Sequence, residues 1–280
     1  AYMESVTKKV GTMSYTYSDY VHTRTTKELL YSYDENGNIT RILTKIGYDK
    51  PTPKTSGMEH VWTLRSDEDI RYTYINGKIT KEVTTSAYME SVTKKVGTIT
   101  YTYSDYINTH KTKEVTYDYD EIGNIKTKET KVGYYKSNPT TSGMESIWSY
   151  RTNEKLNYTY NDNHQLSNLT IYGSYADLVS KKVGTVTYTY YEYNTRKSEE
   201  IRYTYNDDCK ITSEKIYKYK YDNSNKWTSY LAQNKTYQYD AEGYLQYFKQ
   251  YNDGNIVEAY KYEYVYDKNN CLVKQIIYKG

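Results

Sequence analysis

The 280-residue chain has two cysteines, three prolines and one phenylalanine. It also lacks any apolar run of the ~18 residues that a membrane-spanning helix needs. Cys209 and Cys271 are too few for a disulfide framework or a four-ligand zinc site; two free thiols are expected, with a single Cys209–Cys271 bridge as the alternative. Scarce proline beside abundant threonine and aromatic residues argues against disorder. Lysine and arginine number 38 against 35 acidic residues, and the signs alternate along the chain. That is a solvated-face pattern rather than a nucleic-acid footprint. There is neither a basic-then-apolar leader nor a lipidation signal. The opening Ala1-Tyr2-Met3 lacks an initiator methionine and leaves room for a leader or an upstream region.

Catalytic and metal-binding fingerprints are missing as well. His22, His60, His110 and His164 stand singly, without the His-Glu-x-x-His spacing of a zinc peptidase. Nucleotide-binding glycine loops and a Gly-x-Ser-x-Gly elbow do not occur. Neighbouring carboxylates such as Asp67, Glu68 and Asp69, or Glu199 and Glu200, would point to opposite faces of a strand, whereas a glycosidase needs two across one cleft. Asp34-Glu35-Asn36 and Asp207-Asp208 lack the ligand spacing and terminal glutamate of a calcium loop. The expectation is a protein that is not an enzyme and takes no cofactor or metal.

What the chain has is tyrosine, 42 residues of it. Mean hydropathy is −0.98, so aliphatic side chains are too few for a thick core and tyrosine rings must supply the burial. Each ring carries a hydroxyl that needs a partner, which keeps such an interior thin or wet.

The tyrosines recur in order. AYMESVTKKVGT at Ala1 to Thr12 returns unchanged at Ala87 to Thr98 and again, altered, as SYADLVSKKVGT at Ser174 to Thr185. TSGMEHVW at Thr55 to Trp62 returns as TSGMESIW at Thr141 to Trp148. This defines one repeat array over 1–280 with long units 1–86, 87–173 and 174–280, the third divergent with shortened modules. Copy three keeps Trp227 ten residues before Tyr237, as Trp62 precedes Tyr72, but has lost the loop that holds Pro51, Pro53 and Pro139 in the others.

A shorter module lies inside, Tyr-x-Tyr, a polar turn, then isoleucine or leucine. It begins at Tyr31, Tyr72, Tyr117, Tyr158, Tyr203, Tyr237 and Tyr264. Alternating Tyr and Thr suits a pleated strand. Asn36-Gly37 and Asn76-Gly77 suit tight hairpin turns, with Gly123 and Gly243 at similar places. Weaker turns are expected at Asn108-Thr109-His110 and Asn194-Thr195-Arg196, giving about six strands per long unit. The predicted fold is all-β: an antiparallel meander of tyrosine-rich hairpins forming an elongated sheet, a wide barrel or a shell segment, with opposed tyrosines as cross-strand ladders.

YSYDENGNIT at Tyr31 to Thr40, YDYDEIGNIK at Tyr117 to Lys126 and YQYDAEGYLQ at Tyr237 to Gln246 resemble the YD repeats of the Rhs family, patterned Y-x-Y-D-x-x-G-x-I/L. That family takes in bacterial wall-associated and polymorphic toxin proteins, the shells of insecticidal toxin complexes and the teneurins. The resemblance implies antiparallel hairpins coiling into a hollow β-shell, which in the toxins encloses a C-terminal effector.

Three functions follow as expectations. The first is a non-catalytic, secreted or cell-surface protein with a structural, adhesive or partner-binding role. The second is a carbohydrate-binding repeat protein whose exposed Trp62, Trp148, Trp227, Tyr101, Tyr103 and Tyr106 stack on sugar rings and add weak sites by avidity. The third is a fragment of a toxin-encapsulating shell. Against the second, the tryptophans also suit a plain packing role. Expected partners are a protein or a glycan at a surface, with no nucleic acid and no membrane span. Asn38, Asn157, Asn168 and Asn234 head Asn-x-Ser/Thr triplets that would accept glycans in a eukaryotic secretory route.

Overall fold

The computed structural model describes residues 2–10, 12–22, 24–222, 226–269 and 271–280, with the side chains of all of these except 2–4, 10, 19–22 and 108. The chain is all-β, with sixteen strands and no helix among the described residues. Two compact units divide it, Ala1–Glu114 and Val115–Gly280. The first holds β1 (Tyr2–Val10), β2 (Met13–His22), β3 (Lys27–Tyr33), β4 (Ile39–Lys54), β5 (Gly57–Ile75), β6 (Lys78–Val96) and most of β7 (Ile99–Tyr119). The second holds the end of β7, then β8 (Ile125–Thr140), β9 (Gly143–Tyr160), β10 (Leu166–Val183) and β11 (Val186–Tyr205). It continues with β12 (Ile211–Tyr221), β13 (Trp227–Tyr239), β14 (Leu245–Asn252), β15 (Asn255–Tyr266) and β16 (Leu272–Lys279).

Strands β3 to β16 hydrogen-bond in chain order as an antiparallel meander whose edges are β3 and β16, while β1 and β2 pair only with each other. The sheet is open, so the closed barrel is not the architecture adopted.

The module turns explain the Tyr-x-Tyr-Asp pattern. After Tyr33 the Asp34 carboxylate accepts the backbone N–H groups of Asn36 at 2.9 Å and Asn38 at 2.8 Å. Asp120, Asp240 and Asp267 hold their turns in the same way, through the N–H groups of Asn124, Tyr244 and Cys271. Asn161 and Asn206 do so with amide oxygens, on Gln165 and Lys210. An Asp or Asn here satisfies the N–H groups that the reversal takes out of the ladder. The residue three positions later needs positive φ: Gly37, Gly123 and Gly243 supply it, as do His164 at 60° and Cys209 at 63°. Asp222 binds the N–H of Lys226 at 2.9 Å, so Tyr219-Lys220-Tyr221-Asp222 opens a further module that the sequence reading passed over.

That module corrects the reading of Trp227. Trp227 opens β13 opposite Tyr221, just as Ile211 opens β12 opposite Tyr205 and Leu245 opens β14 opposite Tyr239. It fills the isoleucine position of a module. Trp62 and Trp148 instead lie mid-ribbon, opposite Asp49 and Tyr135.

Two expected turns are also corrected. Residues 108–110 run through the middle of β7 and 194–196 through β11, where Ser174, Tyr175 and Gly173 pair with Thr195, Asn194 and Arg196. Neither segment contains a glycine to take positive φ. The chain reverses at Gly97, φ 62°, and at Gly184, φ 62°, both in Val-Gly-Thr, and at the Thr-Ser pairs before Gly57 and Gly143. The middle long unit therefore holds three long whole strands, β7 to β9, with parts of β6 and β10, whereas the third holds the six strands β11 to β16. Pro51, Pro53 and Pro139, read as part of a loop, sit within β4 and β8 opposite His60, Met58 and Met144. β4 pairs with β3 only up to Ile46, so Pro51 and Pro53 lie where the strand has a ladder on one side, the place a missing N–H is tolerated.

The outer halves of the long strands are two-stranded ribbons. In the first unit β4–β5 runs on past Ile46; in the second, β8–β9 runs past Lys131 and β10–β11 past Gly173. Each begins at a bulge, at Thr44/Lys45, Thr130/Lys131 and Ile171/Tyr172, which sharpens the local twist. The interior is thin, as the composition demands. Among the described residues Leu43 and Val115 are the buried apolar side chains, and Thr84, Asp105, Thr170 and Glu200 are the buried polar or charged ones.

Candidate functional site

Two families of tyrosine settle where the hydroxyls go. The first seals the modules. Tyr74 donates to the carbonyl oxygen of Ile39 at 2.9 Å, Tyr160 to Ile125 at 2.9 Å, Tyr205 to Leu166 at 2.8 Å, Tyr239 to Ile211 at 2.9 Å and Tyr264 to Leu245 at 2.9 Å. In every case the acceptor lies two residues before the first rung of the ladder between those strands, and the tyrosine three residues after it. The residue skipped at the bulge beside the turn, Thr80 or Ser167, bonds across to the carbonyl of Thr73 or Thr159.

The second family clamps the ribbons. Within the first unit the Arg65 guanidinium lies 3.6 Å from the ring centre of Tyr106 and 5.7 Å from that of Tyr48, and the two rings meet edge-on at 5.7 Å. Within the second, Arg151 lies 3.9 Å from Tyr193 and 5.7 Å from Tyr134, whose rings meet edge-on at 5.1 Å. Each arginine has one hydrogen bond to a side chain, to Asp67 at 2.5 Å or Ser174 at 2.6 Å, while its buried Nε has no acceptor. The ring faces stabilise that charge by cation–π attraction, about 1–2 kcal/mol for such a desolvated pair. Tyr48 also donates to the buried Asp105 at 3.0 Å; burial, then that bond and the Asp105 charge, push its hydroxyl up to about 12. Sequence reasoning missed Arg65 and Arg151. The signal was present: Trp62-Thr63-Leu64-Arg65 and Trp148-Ser149-Tyr150-Arg151 are the same stretch of the repeat.

Two repeat-related glutamates, Glu200 and Glu114, are likewise engaged internally. Glu200, 6% exposed, accepts from Arg202 at 2.5 Å, Tyr219 at 2.8 Å and Lys197. Burial alone would raise its carboxyl, but these donors outweigh it and hold the group at about 2. Glu114, one long repeat earlier, sits between Lys81 at 2.9 Å and Lys111 at 3.0 Å and is also lowered, the Lys81 bond first among the causes. No three His, Cys, Asp or Glu side chains converge as a metal site among the described residues. His60 is exposed and His164 occupies a turn, His110 meets the Tyr88 ring edge-on at 5.0 Å, and the side chain of His22 lies outside the described residues. Cys209 and Cys271 are both free and exposed.

The candidate contact residues separate on this geometry. Tyr106 is a clamp residue, and half-buried Tyr101 donates to the Lys54 carbonyl at 2.9 Å; Tyr103 is half-buried two positions on in the same strand. Trp62 packs over Gly47, so closely that a Cβ there would clash with its ring, and Arg24 sits 5.2 Å from the ring centre. Trp62, Tyr101 and Tyr106 thus make contacts within the protein. Trp148 instead shares a ribbon face with Tyr135, 5.0 Å away and 51% exposed, and with exposed Tyr150. Trp227, 56% exposed, lies 5.2 Å from Tyr219; Tyr230, three residues further along β13, carries the Lys220 ammonium 4.7 Å from its ring centre. A groove of about 790 Å³ at the β14–β15 end is lined by Asp240, Glu242, Tyr244, Lys261, Tyr264 and Tyr266. Of the predicted residues, then, Trp227 is exposed, while half-buried Trp148 lies beside exposed Tyr135 and Tyr150.

No family model matches the chain, and no curated protein does. Among solved structures, the Photorhabdus luminescens Tc holotoxin pore carrying a TccC3-D651A mutation aligns at 14% identity and TM-score 0.26, over 89% of this chain and 12% of that one. A porin-like protein from Bacteroides uniformis aligns at 11% identity and TM-score 0.28, over 98% and 91%. TcdB2-TccC3-TEV aligns at 11% identity and TM-score 0.16, over 89% and 16%. The chain thus spans about an eighth of the holotoxin chain it matches, and the likeness is of β-rich structure at low similarity.

Proposed function

We propose that this chain is a non-catalytic, secreted or cell-surface β-repeat scaffold that holds or adheres to a partner through exposed aromatic rows. One observation carries the reading: the charged side chains that chemistry would need are engaged with one another, Glu200 with Arg202, Lys197 and Tyr219 being the fullest case, while bulky rings face outward. The partner is a protein surface. The test is binding of the purified chain to extracellular protein and cell-surface fractions, with Trp148→Ala and Trp227→Ala expected to weaken capture at least about tenfold, as buried aromatic anchors do. Undiminished binding by the double variant would remove the aromatic rows from the reading.

A carbohydrate is the second reading, favoured by the Tyr135, Trp148 and Tyr150 face, because neighbouring rings on one ribbon face suit stacking on sugars. A glycan array separates the two. Binding lost in Trp148→Ala but kept in Trp62→Ala supports the sugar platform, and an array without any signal ends it. A segment of a toxin-encapsulating shell remains the reading that the Tyr-Asp modules themselves suggest, tested by whether the flanking gene sequence carries many more such modules and a distinct C-terminal domain.

A further inference from the structure

We infer that the groove between the β13–β14 turn and the end of β15 is a binding site for an arginine side chain of a partner protein. The inference rests on the reading of a protein partner and names the chemistry by which that partner would be held. The groove has a volume of about 790 Å³, within the range of ligand clefts, and lies wholly in the second unit. β15 is paired on both sides, with β14 and with β16, so the groove is not a bare sheet edge.

A slip in register opens it. The capping residues Tyr160, Tyr205 and Tyr239 each stand directly before the residue that holds the next turn, Asn161, Asn206 or Asp240. Between β14 and β15 the cap is instead Tyr264, and the turn residue Asp267 comes three positions later. The end of β15 therefore runs two residues, about 7 Å, past the place where those strands turn. Its last rings stand beside the turn that Asp240 holds, where Tyr244 meets Tyr264 at 5.2 Å and Tyr266 at 5.6 Å between ring centres. The slip also takes from Tyr266 the carbonyl it would cap, and its hydroxyl is buried without a hydrogen-bond partner. Buried polar groups are seldom left so, and a ligand that donates to the hydroxyl oxygen would satisfy it.

The charge of the walls selects a cation. Lys261 and Glu263 pair with each other at 2.6 Å, which leaves Asp240 and Glu242 as the uncompensated carboxylates of the lining. The Lys210 ammonium, at the same turn, is held by the Gly243 carbonyl and lies 5.4 Å from the Tyr239 ring centre. A guanidinium brings five donors in one plane, enough for both carboxylates and the Tyr266 oxygen, and its flat face stacks on tyrosine. The protein uses that pairing itself elsewhere in the second unit, with Arg151 3.9 Å from the ring centre of Tyr193 and Arg196 3.4 Å from that of Tyr175.

Fluorescence anisotropy of the full chain with a labelled glycine-serine peptide carrying one arginine, and with the same peptide carrying citrulline, tests this. Citrulline keeps the shape and removes the charge, so the arginine peptide is expected to bind at least about tenfold tighter. Glu242→Gln should weaken the arginine peptide about tenfold, and Tyr244→Ala, which removes one ring, about fivefold. Glu121→Gln removes an exposed carboxylate from the β7–β8 turn, outside the groove, and should leave binding unchanged. Glu242 and Tyr244 are both exposed, and circular dichroism checks that the variants fold. Equal binding of the arginine and citrulline peptides, equal losses from Glu242→Gln and Glu121→Gln, or no binding of the arginine peptide overturns the inference. Capture of a partner protein that persists in that event leaves the scaffold reading standing, so the two failures are told apart.

Discussion

The Tyr205 hydroxyl donates to the Leu166 carbonyl at 2.8 Å, three residues beyond the last rung that β10 and β11 share. The bond closes a carbonyl that the ladder leaves over, and it joins one module's strand to the previous module's turn. Tyrosine is thereby used twice, its ring as apolar cover and its hydroxyl as a backbone partner, which is how a chain with little aliphatic content holds a sheet together.

Tyr205→Phe keeps the ring and deletes the bond, leaving a part-buried carbonyl. A loss of about 1 kcal/mol is expected. Tyr160→Phe and Tyr239→Phe should cost similar amounts and add nearly independently, since they act at separate junctions. Urea denaturation of the single and combined variants checks this, and a combined loss no larger than one single loss would show that the bonds are not separate supports.

The turn carboxylates act through geometry rather than charge. Asp34→Asn should be tolerated, because Asn161 and Asn206 hold the same turn with an amide oxygen. Asp34→Ala, which removes the acceptor of two N–H groups, should lower the melting temperature. Cys209→Gly should raise it, since a side chain at φ 63° is strained where Gly37, Gly123 and Gly243 are not. Thermal unfolding of the three variants decides the order.

Glu200 makes the protein acid-sensitive in a defined window. Its folded-state carboxyl lies at about 2, below its ordinary 4.5, so its contribution is complete above pH 4.5 and is lost as the pH falls through 2. The amount is on the order of 3 kcal/mol. Glu200→Gln should be less stable at neutral pH and show a flatter stability profile between pH 5 and 2, as measured by denaturant titration at a series of pH values. Equal slopes for variant and wild type would mean that the network with Arg202, Lys197 and Tyr219 does not hold in solution.

Gly47→Ala places a methyl against the Trp62 ring and 2.7 Å from the Thr25 carbonyl oxygen. Because the clash includes backbone, the ribbon has to shift, at a cost of about 1–3 kcal/mol. A changed Trp62 emission accompanying the loss, in a variant lacking Trp148 and Trp227, would locate the strain.

The sequence by itself determined the hairpins. Tyr-x-Tyr-Asp with a turn glycine is local chemistry: the Asp34 oxygen and the positive φ of Gly37 act within five residues, so the pattern reads directly, and the all-β meander follows from its repetition. Turns without a side-chain acceptor were harder to see, and Asn108 and Asn194 drew attention from Gly97 and Gly184, where the chain reverses. Only the tertiary structure decided what each aromatic residue does. Trp62 and Trp148 occupy the same place in the repeat, yet one lies on a glycine beneath Arg24 and the other shares a face with exposed tyrosines. Arg65 and Tyr106, 41 residues apart in the chain, stack at 3.6 Å because ribbons fold over one another, and a period-two pattern carries no information about which ribbon covers which.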